Sequence, residues 1–207
     1  MTTAGVLLAA GRSRRFGEAD KLLALLNGEP LVFHAAKALR AIRPDISIIV
    51  TSDETIASLV NDFLVVRPEQ KQPALADSIR AGIAFAQSKG AKRALVLLAD
   101  MPFVTPRLLH EVASRSNQLT PAAATDGAHA IPPACFPSAM FPQILQLEGD
   151  QGAKKLLGNL SSGSLVKATE HELFDVDTIE DLDAANRNAQ KMRYDPISNL
   201  ILRNGSK

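Results

Sequence analysis

A single cysteine, Cys135, is all that the 207-residue chain contains, so neither an internal disulfide nor a thiolate metal cluster can form. One such residue suits a reducing compartment. Neither sign of charge is in excess: 23 basic against 22 acidic residues leave a formal net charge of +1. That balance excludes nucleic-acid binding held by bulk charge, and any anion site must be local. No apolar run reaches the length of a membrane span, and the N-terminal stretch MTTAGVLLAAGRSRR lacks a signal peptide's basic start and cleavage site. The expectation is a cytoplasmic protein with no nucleic-acid and no membrane partner. Internal repeats, linkers and low-complexity segments are missing too. With 46% hydrophobic residues the chain suffices for one sizeable core.

What is present alternates. Ala4–Ala10, Ile46–Ser52, Asp62–Pro68 and Arg93–Pro102 read as short, apolar strands, the last stopping at Asp100. Between them, helical spacing of apolar residues marks Pro30–Ile42, Glu54–Val60 and Ala74–Gln87, and a further helix spans Pro106–Ser114. Continuous rather than alternating strands separated by helices predict an α/β fold, a mostly parallel sheet with helices on both faces. Thr120–Ile144, with five prolines, reads as short strands and loops over the sheet edge. Gly149–Leu157 reads as a short helix with Asp150 near its N-cap. Leu165–Thr169 and Glu172–Asp177 are strand candidates, and Ile179–Met192 is a final helix. One domain over residues 1–190 and a tail over 191–207 are expected.

The chemistry concentrates at the ends of strands. LAAGRSRRFGEADKLL, from Leu8 to Leu23, sets Arg12, Arg14, Arg15 and Lys21 on a small-residue turn after the first strand. In a doubly wound sheet that edge collects ligands, and a turn of small residues lets backbone N–H groups approach phosphate oxygens. The dinucleotide fingerprint GxGxxG is absent, as is the NTPase phosphate loop, since Gly17 precedes Glu18. A solvated basic connection is the plain alternative for the charge run taken alone. Asp100, at the carboxyl end of a strand, suits either a Mg²⁺ that bridges phosphates or the cap of a following turn. In FDVDTIEDLDAA, Asp177 or Thr178 can cap the last helix while Glu180 and Asp181 complement its dipole. GDQGAKKLL offers a helix start followed by Lys154 and Lys155, an anion site or an ordinary surface helix. No Ser/His/Asp or Cys/His set has an interpretable spacing, and Cys135 reads as a small buried residue.

The opening segment resembles the LAAGxSxRFG…K signature of nucleotidyltransferases that activate small phosphorylated molecules with NTPs. Within that superfamily the chain most resembles the molybdenum cofactor cytidylyltransferases, with the cofactor's guanylyltransferases and the methylerythritol phosphate cytidylyltransferases as relatives. The resemblance covers Val6 to about Ala189. It implies a single-domain Rossmann-like fold of the nucleotide-diphospho-sugar transferase type and transfer of CMP from CTP to the phosphate of a molybdopterin-type cofactor, with Mg²⁺. By resemblance, Arg15 and Lys21 carry catalytic charge beside Asp100. Leu8, Ala9, Ala10, Gly11, Arg12, Ser13 and Ser78 join Lys21 on the nucleotide, and Asp100 and Asp177 hold the metal. Ser78 matches the serine of the third βα unit, which ordinary amphipathic packing explains equally well.

GDQGA is similar to the GDxGAR segment, here with Lys154 for arginine, which assigns Gly149, Asp150, Gly152 and Lys154 to the substrate; Pro132 joins them because AHAIPPACFPSAMF stands where close relatives carry a glycine–x–proline substrate loop, here without the glycine. CTP over GTP rests on Ala10, where guanylyl relatives carry a second glycine. The same likeness implies a molybdoenzyme or its chaperone as recipient of the product. Two rivals stay open. One is transfer to another phosphorylated acceptor, such as methylerythritol phosphate or a sugar phosphate. The other is a non-catalytic nucleotide or cofactor carrier.

Overall fold

The computed structural model describes residues 1–11, 16, 20–70, 73–149, 156–158 and 160–194. Its centre is a seven-stranded sheet of β1 (Thr3–Leu8), β4 (Ile46–Val50), β5 (Leu64–Val66), β6 (Arg93–Leu98), β7 (Ala122–Thr125), β8 (Ala130–Pro137) and β9 (Leu165–Lys167). The spatial order is β5-β4-β1-β6-β8-β7-β9. β1 pairs in parallel with β4 and β6, and β4 with β5, as apolar strands covered on both faces require. Among the described strands of this sheet, β8 alone runs against its neighbours. The fold is α/β with a mostly parallel sheet, as the strand and helix pattern predicts.

Alternate side chains of the central strands enter two cores. Leu7, Ile49, Leu95 and Leu97 meet α1 (Leu31–Ala41) and α4 (Pro106–Arg115). Val6, Leu8, Ile48, Val50 and Val96 meet α3 (Leu75–Ser88) and the short α5 (Phe141–Ile144). The short α2 (Glu54–Leu59) starts on Asp53, whose carboxylate accepts from Ile56 N. Gly82 lets α3 lie close on the sheet, because a Cβ there would sit 2.6 Å from Val6 Cγ1 and 3.1 Å from Val50 Cγ2. Both valines are buried and stiff at χ1, so neither yields easily. Gly82→Ala should gain about 1 kcal/mol of helix propensity and lose about 1–3 kcal/mol to overpacking. The expected net result is a lower urea midpoint at unchanged m, measured by equilibrium unfolding.

Two readings of the second half need correction. The proline-rich segment does not lie over the sheet edge; it supplies β8, between β6 and β7. The prolines fit because the ladder skips them: Ala123 pairs with Ala134, and the next partner of β7, Ala124, pairs with Ile131. Pro132 and Pro133, which have no N–H to give, fall in that jump. Glu172–Asp177 is not a strand; it crosses the end of the sheet as turns, and Val176 N donates to Asp100 O (3.0 Å).

A hairpin of β2 (Leu25–Leu26) and β3 (Glu29–Pro30) turns on Asn27 and Gly28, with φ of 52° and 82°. Both central residues have positive φ, the requirement of a type I′ turn, and Asn-Gly meets it. The final helix α6 (Ile179–Tyr194) packs on this hairpin: Asn186 Oδ1 accepts from Asn27 N (2.9 Å) and its Nδ2 donates to Leu25 O (3.3 Å). No helix among the described residues is long and apolar enough to cross a membrane.

Candidate active site

The register of β1 on β6 decides where the site forms. Leu8 pairs with both Val50 and Leu98, so the three strands end level. Ala99 N donates to Leu8 O (3.0 Å) and Ala9 N to Val50 O (2.8 Å). The turn after β1 and the residue after β6, Asp100, therefore leave the same sheet edge side by side, the ligand edge of a doubly wound fold.

Lys21 returns to this edge on a 3₁₀ turn, Lys21–Leu23, that Asp20 caps by accepting from Leu22 N (2.9 Å). Leu22 and Phe16 are buried in the same core and anchor the turn. Lys21 is only 6% exposed. Its Nζ donates to Asp100 Oδ2 (2.7 Å) and Asp177 Oδ1 (2.8 Å). Burial alone would lower the ammonium's pKa, but the charge and hydrogen bond of Asp100, then those of Asp177, outweigh it and raise the pKa above 10.5. Lys21 is a cation throughout the neutral range.

Asp177 reaches that ammonium because the helix start needs a different residue. Thr178 Oγ1 accepts from Asp181 N (3.1 Å), and Asp181 Oδ2 accepts from Thr178 N (2.8 Å) and Asp177 N (3.1 Å). This reciprocal cap settles the competition within DVDTIED and leaves the Asp177 carboxylate for Lys21. Asp100 likewise caps no turn. One of its oxygens holds Lys21, and the other, Oδ1, is buried with no hydrogen-bond partner.

Asp175 is a third acid at the rim. Desolvation, then the negative charges of Asp177 and Asp100, push its carboxyl above the ordinary 3.8. Since the residue as a whole is open to water, the two neighbouring charges are the firmer cause. A carboxyl with a raised folded-state pKa contributes stability that is fully present below the unfolded pKa and lost as pH rises through the folded one. Asp175→Asn should therefore raise the melting temperature of the metal-free chain at pH 7. The gain should vanish below about pH 4. Thermal unfolding at both pH values checks it, and an equal shift at the two would contradict the repulsion.

Of the remaining sequence candidates, Leu8 is buried and gives its carbonyl to Ala99, and the Ala9 amide is committed to Val50. Ala10 and Gly11 follow at the edge with no described hydrogen bond, and a Cβ on Gly11 would meet open space. Ser78 lies in the first turn of α3 on the opposite sheet face from Leu22, 3% exposed, its hydroxyl 3.5 Å from Ala74 O. Among the described contacts it touches neither Lys21 nor Asp100. Pro132 stands near the start of β8 and Gly149 holds φ +60°, and neither has a described contact with the Lys21 cluster. Arg12, Ser13, Arg15, Asp150, Gly152 and Lys154 lie outside the described residues. Cys135 is buried, and that burial pushes its thiol up to about 11, so it is inert at neutral pH.

Sequence reasoning missed Asp175, although its D-x-D spacing with Asp177 was visible. It also missed Glu172, 5% exposed, whose carboxylate binds Thr105 and Thr169 beside the site. Thr169 three residues before it gives a local T-x-x-E signal, but Thr105, the partner that ties it to the other loop, is too distant in the chain for one.

The arrangement fits a divalent cation. Among the described residues no group of three or more His, Cys, Asp and Glu side chains is set to hold a metal. An ion that completes its shell with phosphate oxygens and water needs only one or two carboxylates. Asp100 Oδ1, buried and without a hydrogen-bond partner, is a hard oxygen donor on a carboxylate that shares the Lys21 ammonium with Asp177.

The profile of the MobA-like NTP transferase domain matches residues 5–165. The chain is 33% identical to the purine catabolism protein PucB of Bacillus subtilis, over 88% of this chain and 95% of that protein. It is 30% identical to a molybdenum cofactor guanylyltransferase of Pseudomonas fluorescens, over 78% of this chain and 82% of that one. In fold it superposes on a nucleotidyl transferase from Methanothermobacter thermautotroptrophicus with TM-score 0.79 at 22% identity, covering 92% and 99% of the two chains. Rv0371c of Mycobacterium tuberculosis, solved in complex with manganese, gives 0.70 at 23% identity over 90% and 99%. The chain belongs to the MobA-like NTP transferase family, a family of nucleotidyltransferases.

Proposed function

We propose that this enzyme transfers CMP from CTP to the phosphate of a molybdopterin-type cofactor and releases pyrophosphate, with Mg²⁺ as the ion. The observation that carries the reading is the Lys21 ammonium clamped between Asp100 and Asp177 at the strand ends, with Asp100 Oδ1 left bare. Asp100 and Asp177 would hold the ion, which when bound neutralises phosphate oxygens and polarises the reacting phosphorus.

The chain's own groups have two tasks. The Ala10 and Gly11 amides, which make no hydrogen bond among the described residues, would receive phosphate oxygens at close range, which a small-residue turn permits. Lys21, held charged by its two carboxylates, faces the charge that builds on the phosphates as the α–β bond breaks. An oxygen of the acceptor phosphate forms the new bond to the α-phosphorus while pyrophosphate departs with the electron pair of the broken one. The attacking oxygen is already anionic, so no general base is required.

Ala10, in place of the second glycine of guanylyl relatives, supports CTP. A second reading, GTP as donor, is favoured by the Pseudomonas fluorescens relative, which is named a guanylyltransferase. The test is pyrophosphate release from CTP, GTP, ATP and UTP with Mg²⁺ and molybdopterin acceptor. Release that is greatest with CTP is expected. Release with GTP alone would replace the donor and leave the reaction class intact. Silence with every NTP, on molybdopterin and on other phosphorylated acceptors, would favour the carrier reading.

A further inference from the structure

Asp177 is carried by residues 168–178, a connection between β9 and α6 with no helix or strand of its own. Asp100 is carried by the loop from β6 to α4. A divalent ion shared by two carboxylates requires these loops to hold one separation, and loops do not do so unaided. Three ties join them. Val176 N donates to Asp100 O (3.0 Å). The Phe103 ring stacks on His171 with centroids 4.1 Å apart and an interplanar angle of 23°. The third is Glu172, whose Oε1 accepts from Thr105 Oγ1 (2.5 Å) and whose Oε2 accepts from Thr169 N and Thr169 Oγ1 (both 3.1 Å). Arg107 Nη2 adds contacts of 3.3 and 3.4 Å.

We propose that Glu172 is a positioning residue for the metal-binding pair, fixing the loop that bears Asp177 against the one that bears Asp100. The inference rests on the reading that Asp100 and Asp177 hold the ion together. A carboxylate taken out of water is costly unless its lone pairs are filled, and a helix cap needs only one of them. Thr105 already caps α4, its Oγ1 accepting from Leu108 N (3.1 Å), so α4 does not need Glu172. What the glutamate adds is a bridge: one oxygen on the Asp100 side, the other on the Asp177 side. Outer partners of this kind set the affinity of the ligands they orient.

The test is Mn²⁺ binding to the full chain, read as loss of the free-ion EPR signal, at a temperature where circular dichroism shows every variant folded. Glu172→Gln, which puts a donor where Oε1 or Oε2 accepts, should weaken Mn²⁺ binding about tenfold. Thr105→Val should weaken it similarly, and Thr105→Ser, which keeps the hydroxyl, should restore it. A purely structural Glu172 would lower the melting temperature and leave Mn²⁺ affinity of the folded chain unchanged; that result overturns the inference. Asp100→Asn serves as the control and should abolish saturable binding. If the wild-type chain shows no saturable binding, or Asp100→Asn binds as wild type does, the metal reading fails and this inference fails with it.

Discussion

Asp100→Asn should turn over at least about 10²-fold more slowly than the wild-type chain, a loss larger than its lowered denaturant midpoint accounts for. The two halves of this expectation come from different oxygens of one side chain. Asparagine keeps the size of aspartate and can still offer Lys21 an oxygen, and Lys21 retains Asp177 at 2.8 Å. The folded state therefore keeps this hydrogen bond and loses the charge of a partly buried pair, a cost of about 1–3 kcal/mol. What it cannot supply is the negative charge behind Oδ1, the buried atom that no protein group satisfies. A bare buried acceptor is a cost of about 1–3 kcal/mol that folding alone would remove. Its persistence at the ligand edge is best explained by a partner that arrives with the substrate. Steady-state pyrophosphate release against Mg²⁺ concentration, with urea unfolding of the same preparations, separates the effects. Loss of activity that merely tracks loss of folded protein would reduce Asp100 to a structural role.

Part of this site was legible in the chain and part was not, and the division follows sequence distance. Lys21 and Asp100 are marked locally, one by a basic turn of small residues after a buried strand, the other by the abrupt end of an apolar run. The register that places Leu8 beside Leu98 then brings them together. Asp177 was ambiguous because DVDTIED holds more carboxylates than a helix start can use. Only the Thr178–Asp181 reciprocal cap frees it for Lys21. Glu172 was not legible as part of the site: T-x-x-E marks only its local pairing with Thr169, and Thr105, which ties it to the Asp100 loop, is 67 residues away. The same holds for β8. Two adjacent prolines argue against a strand inside a sheet, and only the register jump past them, a property of the paired strands, makes that place tenable.

Lys21→Ala should have a comparable kinetic effect, about 10²-fold or more in turnover, but with a different signature in stability. The ammonium is the one described cation bonded to both Asp100 and Asp177, and Asp175 stands near enough to be pushed by both charges. Its removal leaves three carboxylates facing one another. Breaking a buried pair from one side costs about 3–5 kcal/mol, and an exposed pair costs under about 1 kcal/mol. Asp177, with its side chain 48% exposed, lies toward the screened end, and Asp100, at 19%, does not. A loss of about 1–3 kcal/mol is expected for the metal-free variant. Mg²⁺ or Mn²⁺ should return more of that loss to Lys21→Ala than it adds to wild type, because the ion no longer competes with a fixed positive charge for the same oxygens. Turnover should not return with it, since the ion replaces the charge between the carboxylates and not the donor that faces the phosphates. Thermal shift with and without Mn²⁺, set beside pyrophosphate release, reads both. Turnover within about threefold of wild type would end the assignment of Lys21 to the reaction.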